Sequence, residues 1–440
     1  MTVVELRAKG APHSALVTAK GLVAALDIGT TKITCLIGEA VQQRHHAPDD
    51  EERPGVRILG FGHQASRGVR NGMIVDVDQA ERAIRLAVDA AERSAKRTIS
   101  SVFVNVAGGR PQSLVTSAKV KLATGQVTQS EIEAATAAAL SQVRAGTRII
   151  LHAVAAQFQL DDARGITSPL GMFGDELTVD VHAVLAAPAA MRNLSLCLER
   201  CHLAIADQAV APYAAAKSVL AEDELKLGVT LVDMGGATTS IAGFREGHVV
   251  FADVIPLGGQ HITNDIARGL STTIAHAERM KTLWGSALAS AIDEREMVAV
   301  PLLGERGVDT VHHVPRSMLT GIIRPRLDET FDLIRERIER ASLAGLAGGR
   351  VVLTGGASQL TGVRETASQW LNRQVRLGTP LPNLGLPEVA RSPGFAVAAG
   401  LLLYGLKPDR HCARETRRTA ELVAQRGYLR RVGKWITESF

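Results

Sequence analysis

VAALDIGTTKITCLIG (residues 23–38) and GVTLVDMGGATTSIAGF (residues 228–244) are written to one plan. In each, an apolar run ends in an aspartate, Asp27 or Asp233. An apolar residue and a glycine follow, then a short turn of small residues with threonine, then a second apolar run. Apolar, β-rich runs flanking a glycine-led turn predict a hairpin. Two such hairpins, their aspartates about two hundred residues apart, predict two related halves.

The chemistry follows from the turn. Glycine has no Cβ, so backbone N–H groups there can close on an anion. In the first turn Gly29, Thr30 and Thr31 supply amides and hydroxyls, and Lys32 supplies a fixed positive charge. In the second, Gly235, Gly236, Ala237 and Thr238 repeat the pattern. Asp27 and Asp233, at strand ends facing these turns, are placed to hold Mg²⁺ through its waters. A single hairpin of this kind is equally well a structural turn with a surface aspartate, but two in register point to phosphate binding.

Two further segments fit a nucleotide. VVLTGGASQLTG (residues 351–362) predicts a buried strand, a Gly-Gly turn and a helix start capped by Ser358. Gly355, Gly356 and Ala357 would let backbone approach a flat ligand. In AERMK (residues 277–281) Glu278 and Lys281 share one helix face, in reach of a ribose and a base, although alone such a pair is an ordinary solvated ion pair.

The rest of the chain alternates strand and helix, the pattern of an α/β protein. Strands are expected at 102–106, 114–122, 149–159 and 177–185. Helices are expected at 78–96, 130–144, 264–270, 276–283 and 322–341. Residues 1–20 read as a mobile arm and 42–54 as an exposed loop between two strands. The 440 residues suffice for two or three domain-sized cores. Aromatic content of 3% argues against a nucleic-acid stacking platform. The longest apolar run, 395–406, is too short to span a membrane, and no signal peptide is evident, so a cytoplasmic protein is expected. Cys197 and Cys201 lack a second ligand pair and read as small apolar residues on one helix face; Cys35 and Cys412 stand alone, and disulfides are not expected.

The net charge of +5 belongs to the end of the chain: from Lys407 onward nine Lys/Arg face four Asp/Glu, leaving the body neutral. No nucleic-acid partner is expected. After a charged linker at 407–426 comes GYLRRVGKWITESF (residues 427–440). At ~100° per residue, Tyr428, Leu429, Val432, Trp435, Ile436 and Phe440 gather on one side. Arg430, Arg431, Lys434, Thr437 and Glu438 gather on the other. This amphipathic helix suits the surface of an anionic membrane, binding reversibly alone and firmly when neighbouring tails act together.

Taken in order, the two hairpins, the A-E-x-x-K helix and the L-T-G-G-A loop resemble the actin, sugar-kinase and heat-shock-chaperone superfamily. With SRGVRNGMIVD, VIPLGGQHITNDIA and GLLLYG, the chain resembles the FtsA family of bacterial cell-division proteins from about Gly21 to Phe440. The resemblance implies an actin-like two-lobed fold with duplicated phosphate-binding hairpins, an FtsA-type inserted subdomain and a C-terminal amphipathic helix. It implies subdomain 1A at 21–99, 184–227 and 391–406, the insertion 1C at 100–183, 2A at 228–262 and 345–390, and 2B at 263–344. It implies binding of ATP with Mg, self-assembly into filaments, docking of the C-terminal peptide of the tubulin-like protein FtsZ, tethering of that protein to the inner membrane, and recruitment of later division proteins. The FtsZ peptide would meet 2B, where Arg326 matches a family I-x-P-R pattern and Arg324 stands nearby at the expected helix start. Two departures matter: Ala237 replaces a glycine frequent in the second loop, and Ala211 stands where relatives often carry a glutamate that positions the attacking water. Hydrolysis is therefore expected to be slow. A small-molecule kinase would use the same hairpins but needs an acceptor-facing base that the sequence does not identify. A chaperone would continue into a substrate-binding domain, and a pilus-assembly relative would lack the tail.

Overall fold

The computed structural model describes residues 21–41, 55–166, 168–304, 311–341 and 350–406. The arm 1–20, the loop 42–54, the linker 407–426 with Cys412, and the amphipathic segment 427–440 lie outside the described residues.

Both expected hairpins are present, in identical register. Leu22–Ile28 pairs with Lys32–Val41, setting Asp27 opposite Thr34 and Ile28 opposite Ile33. Val229–Met234 pairs with Thr239–Arg245, setting Asp233 opposite Ser240 and Met234 opposite Thr239. Each hairpin sits in a five-stranded sheet. The first runs Ala204–Val210, Ser101–Val106, Leu22–Ile28, Lys32–Val41, Gly55–Ala65; the second runs Gln374–Leu377, Arg350–Thr354, Val229–Met234, Thr239–Arg245, His248–Ile255. In both, three strands form an antiparallel meander and two lie parallel to the aspartate-bearing strand. The duplication seen in two short motifs is a duplication of whole sheets.

Between the lobes lie the helices Ala211–Val219 and Ala396–Leu406. The second is apolar on every side, and only a helix buried all round can be. It is the long apolar run of the sequence, and it is core. Among the described residues no helix is long and apolar enough to cross a membrane.

The insertion has its own four-stranded antiparallel sheet, ordered Gln112–Lys121, Glu176–Ala186, Ile149–Leu160, Ala163–Ile166, with the helix Gln129–Ser141 packed on it. Ile132, Phe158, Leu177, Val179 and Val181 form its separate core. The strand Ser101–Val106, beyond the boundary expected at residue 100, pairs with Leu22–Ile28 in the first lobe. The insertion also touches the second lobe: the Ser113 hydroxyl accepts a hydrogen bond from Ala252 N at 3.1 Å and lies 3.0 Å from His182 Nε2.

Three local expectations need correction. The helix expected at 322–341 runs Arg316–Arg340 with Pro325 inside it. Proline removes one backbone bond, but Leu319, Ile323, Leu327, Phe331, Ile334 and Ile338 bury one continuous face, and that packing carries the helix through. Arg324 and Arg326 therefore sit in mid-helix, not at its start. The helix expected at 264–270 starts five residues earlier, at Gly259. Ser358 caps no helix: its hydroxyl donates to the Gly355 carbonyl at 2.8 Å inside a 3₁₀ turn, Gly356–Gln359, and the following helix begins at Val363. Cys197 is buried on the helix Pro188–Arg200 and Cys201 ends it; among the described residues no three or more His, Cys, Asp and Glu side chains gather as a metal site.

Candidate functional site

The two hairpins face one another across a cavity of about 400 Å³, the size range of small-molecule sites. All fourteen of the expected nucleotide residues other than Ala237 line it, and Ala237 is buried immediately behind. The turns are built alike. Gly29 N donates to Lys32 O at 3.0 Å, and Gly235 N donates to Thr238 O at 2.9 Å. A Cβ at either glycine would stand within 2.9 Å of that carbonyl oxygen, so glycine is required at both. The N–H groups of Thr30, Thr31, Gly236 and Ala237 have no acceptor among the described residues. They are left for an anion.

Distant segments tune these turns. The Asn71-Gly72 turn, left-handed at both residues, brings Gly72 N to within 3.2 Å of Thr30 Oγ1, to which it donates. With its acceptor side used, the Thr30 hydroxyl proton is free for a ligand. The helix Gly259–Gly269 starts on the second turn, Gly259 N donating to Gly235 O at 3.0 Å and Gln260 N to Gly236 O at 2.6 Å. Gly355, at φ +86°, passes so close to Asp233 that a Cβ would lie 2.3 Å from its Oδ1. Gly355 was expected at the site from the sequence; Gly72, Gln260, Gly394 and Asn105, which also line the cavity, were not. Their only signals were an Asn-Gly pair and a polar residue in an apolar strand.

Charge is concentrated around Asp27, Lys32 and Asp233, which act on one another. Burial pushes the Asp27 carboxyl up to about 7, opposed by Lys32 and reinforced by Asp233. Burial raises Asp233 to about 6, again opposed by Lys32. Lys32 is pushed down to about 8 by burial against the pull of both aspartates, and its ammonium stands 3.3 Å over the Phe395 ring. Two buried carboxylates with a single cation between them form a site short of positive charge. The donor set fits Mg²⁺, which prefers oxygen and keeps much of its water.

Beside the helix start that rests on the second turn, Lys281 Nζ donates to Glu278 Oε2 at 2.7 Å, Thr263 Oγ1 at 2.9 Å and Gly259 O at 3.1 Å. All three of its protons are engaged, so Lys281 buttresses the helix start while Glu278, half exposed, is the open group of the pair. Ala211 lines the cavity as the first residue of its helix.

Arg324 and Arg326 are far less available than the sequence suggested. Arg326 holds Asp265 through Nε at 2.6 Å and Nη2 at 3.1 Å and also bonds Glu329. Arg324 bonds Asp328 at 2.8 Å and the Ala287 carbonyl at 3.1 Å.

Comparison with known proteins adds the family. Residues 230–400 match the family described as "Cell division protein FtsA", and residues 108–185 match "SHS2 domain inserted in FTSA". The chain is 44% identical over 419 residues to the cell division protein FtsA of Rhizobium meliloti, covering 95% of each chain. Among solved structures it resembles the PilM-PilN type IV pilus biogenesis complex, with a TM-score of 0.58 and 18% identity over 88% of this chain and 99% of that one. It also resembles MreB5 of Spiroplasma citri bound to ADP, with a TM-score of 0.50 and 11% identity over 89% and 97%. At such identities the structural matches speak for the actin-like fold alone.

Proposed function

The chain belongs to the FtsA family of cell-division proteins, and from that premise we propose that it binds ATP with Mg²⁺ between its lobes, assembles into filaments, and tethers FtsZ to the inner face of the cell membrane. The observation that carries the nucleotide part is the pair of hairpins in matching register, with free turn amides and buried Asp27 and Asp233 on one cavity. Thr30, Thr31, Lys32, Gly236 and Ala237 would cradle the phosphates. Gly355 to Ala357 and Glu278 would take the adenosine, with Lys281 holding the wall behind it. Mg²⁺, when bound, would offset phosphate charge, and Asp27 and Asp233 would orient its waters.

Filament formation rests on the actin-like fold, FtsZ docking on subdomain 2B at 263–344, and membrane attachment on residues 427–440. Ala211 gives no group to position an attacking water, so hydrolysis is slow and nucleotide acts as a structural ligand. Later division proteins are recruited by the assembled layer. Asp233→Ala tests the premise: calorimetric titration should show loss of Mg²⁺-dependent ATP affinity, and unchanged affinity would remove this assignment. Turnover at ~1–100 s⁻¹, as in kinases, would favour a phosphotransferase instead.

A further inference from the structure

Asn105 is the last polar residue of the strand Ser101–Val106, 4% exposed, on the cavity wall. Its Oδ1 accepts a hydrogen bond from Ile28 N at 2.8 Å. A backbone N–H can only donate, so the oxygen end of the carboxamide is fixed there. The amino end, with two protons, faces the other way. It has no acceptor among the described residues. On a residue that lines the cavity, those protons are open to whatever the cavity binds.

Its position narrows the ligand. Parallel pairing sets Ala25 beside Phe103 and Leu26 beside Val104, so the next rung puts Asp27 beside Asn105. On the other side Asn105 pairs with Ala209, two residues before Ala211. Asn105 thus stands between Asp27 and Ala209 in the sheet, and it shares the cavity wall with Asp27 and Ala211. This is the part of the cavity that holds Lys32 and Asp233, whose charges act on one another and on Asp27, with Gly355 packed against Asp233. The last phosphate of a nucleotide arrives in this part.

We propose that the Asn105 amino group donates to the terminal phosphoryl group of a bound nucleoside triphosphate and so distinguishes triphosphate from diphosphate. The proposal rests on the nucleotide reading of the cavity. Titration of the full chain with Mg²⁺ and either a non-hydrolysable ATP analogue or ADP tests both. Asn105→Ala should weaken the triphosphate analogue about tenfold or more, the size of one hydrogen bond to a charged group, and leave ADP within about twofold. Asn105→Asp keeps the acceptor for Ile28 N but removes both donors, so it should show the same selective loss with the fold intact. Equal loss of both nucleotides, or a triphosphate affinity unchanged in the aspartate variant, would overturn the proposal. If the unaltered protein binds neither nucleotide, the cavity reading itself fails, and that outcome is separate from the first two.

Discussion

Gly236 and Thr31 meet across the cleft: a methyl group built on Gly236 would lie 2.5 Å from Thr31 Cγ2. The tips of the two hairpins, one from each lobe, touch there with no room for a side chain. Gly236→Ala should push the lobes apart and weaken Mg-ATP binding by about tenfold, since overpacked contacts cost ~1–3 kcal/mol. Thr31→Ser removes the offending methyl and keeps the hydroxyl. The double variant should regain most of the affinity, a coupling that a titration cycle on all four proteins would read directly.

The two aspartates make the nucleotide-free protein sensitive to pH. Their folded values, about 7 for Asp27 and about 6 for Asp233, lie above the ordinary carboxylate range. The native state therefore binds more protons than the unfolded chain between pH ~4 and ~7, and stability falls as pH rises through that window. Lys32, lowered to about 8, acts only above it. Melting in EDTA should show Tm dropping from pH 5 to 7.5, and Asp27→Asn should raise Tm at pH 7.5 by ~3 °C. A flat profile would mean the carboxylates are better solvated than their burial implies.

Charge reversal at Arg326 is a poor test of FtsZ docking, because it would set a third carboxylate against Asp265 and Glu329. Asp265→Asn is more informative. It frees the guanidinium, so affinity for an FtsZ C-terminal peptide should rise a few-fold by fluorescence anisotropy. No change would take Arg326 out of the contact.

Membrane attachment is expected to fail in Trp435→Glu while ATP binding persists. Loss of one large apolar side chain, worth ~1.5–3 kcal/mol when fully buried, should release the protein from anionic vesicles in a pelleting assay. Co-sedimentation equal to the unaltered chain would place the anchor elsewhere.

The hairpins were legible because what they require is local: glycine at a carbonyl contact, aspartate at a strand end, threonine in the turn. The deep wall of the site was not. Asn105 reaches Ile28 across 77 residues and Gly72 reaches Thr30 across 42, and no periodicity encodes such meetings. The pairing of Arg326 was hidden for the same reason, since Asp265 lies 61 residues away. The helix expected from 322 begins six residues earlier, at Arg316, and a buried face made by tertiary packing carries it through Pro325. Lys281 lines the cavity and also supports the Gly259 carbonyl, a contact that its neighbours on the helix do not reveal.

The insertion leaves and re-enters the first lobe, yet Ser113 on its first strand takes a bond from Ala252 in the second. Two bodies joined at a cleft would swing like a door. A third member braced to both turns the molecule into a truss, and a truss changes shape only when one of its joints slips. Widening the cleft enough to exchange a ligand must shear the seam at Ser113 and Ala252 or bend the insertion. Whatever grips the insertion from outside thereby acquires leverage on the cleft.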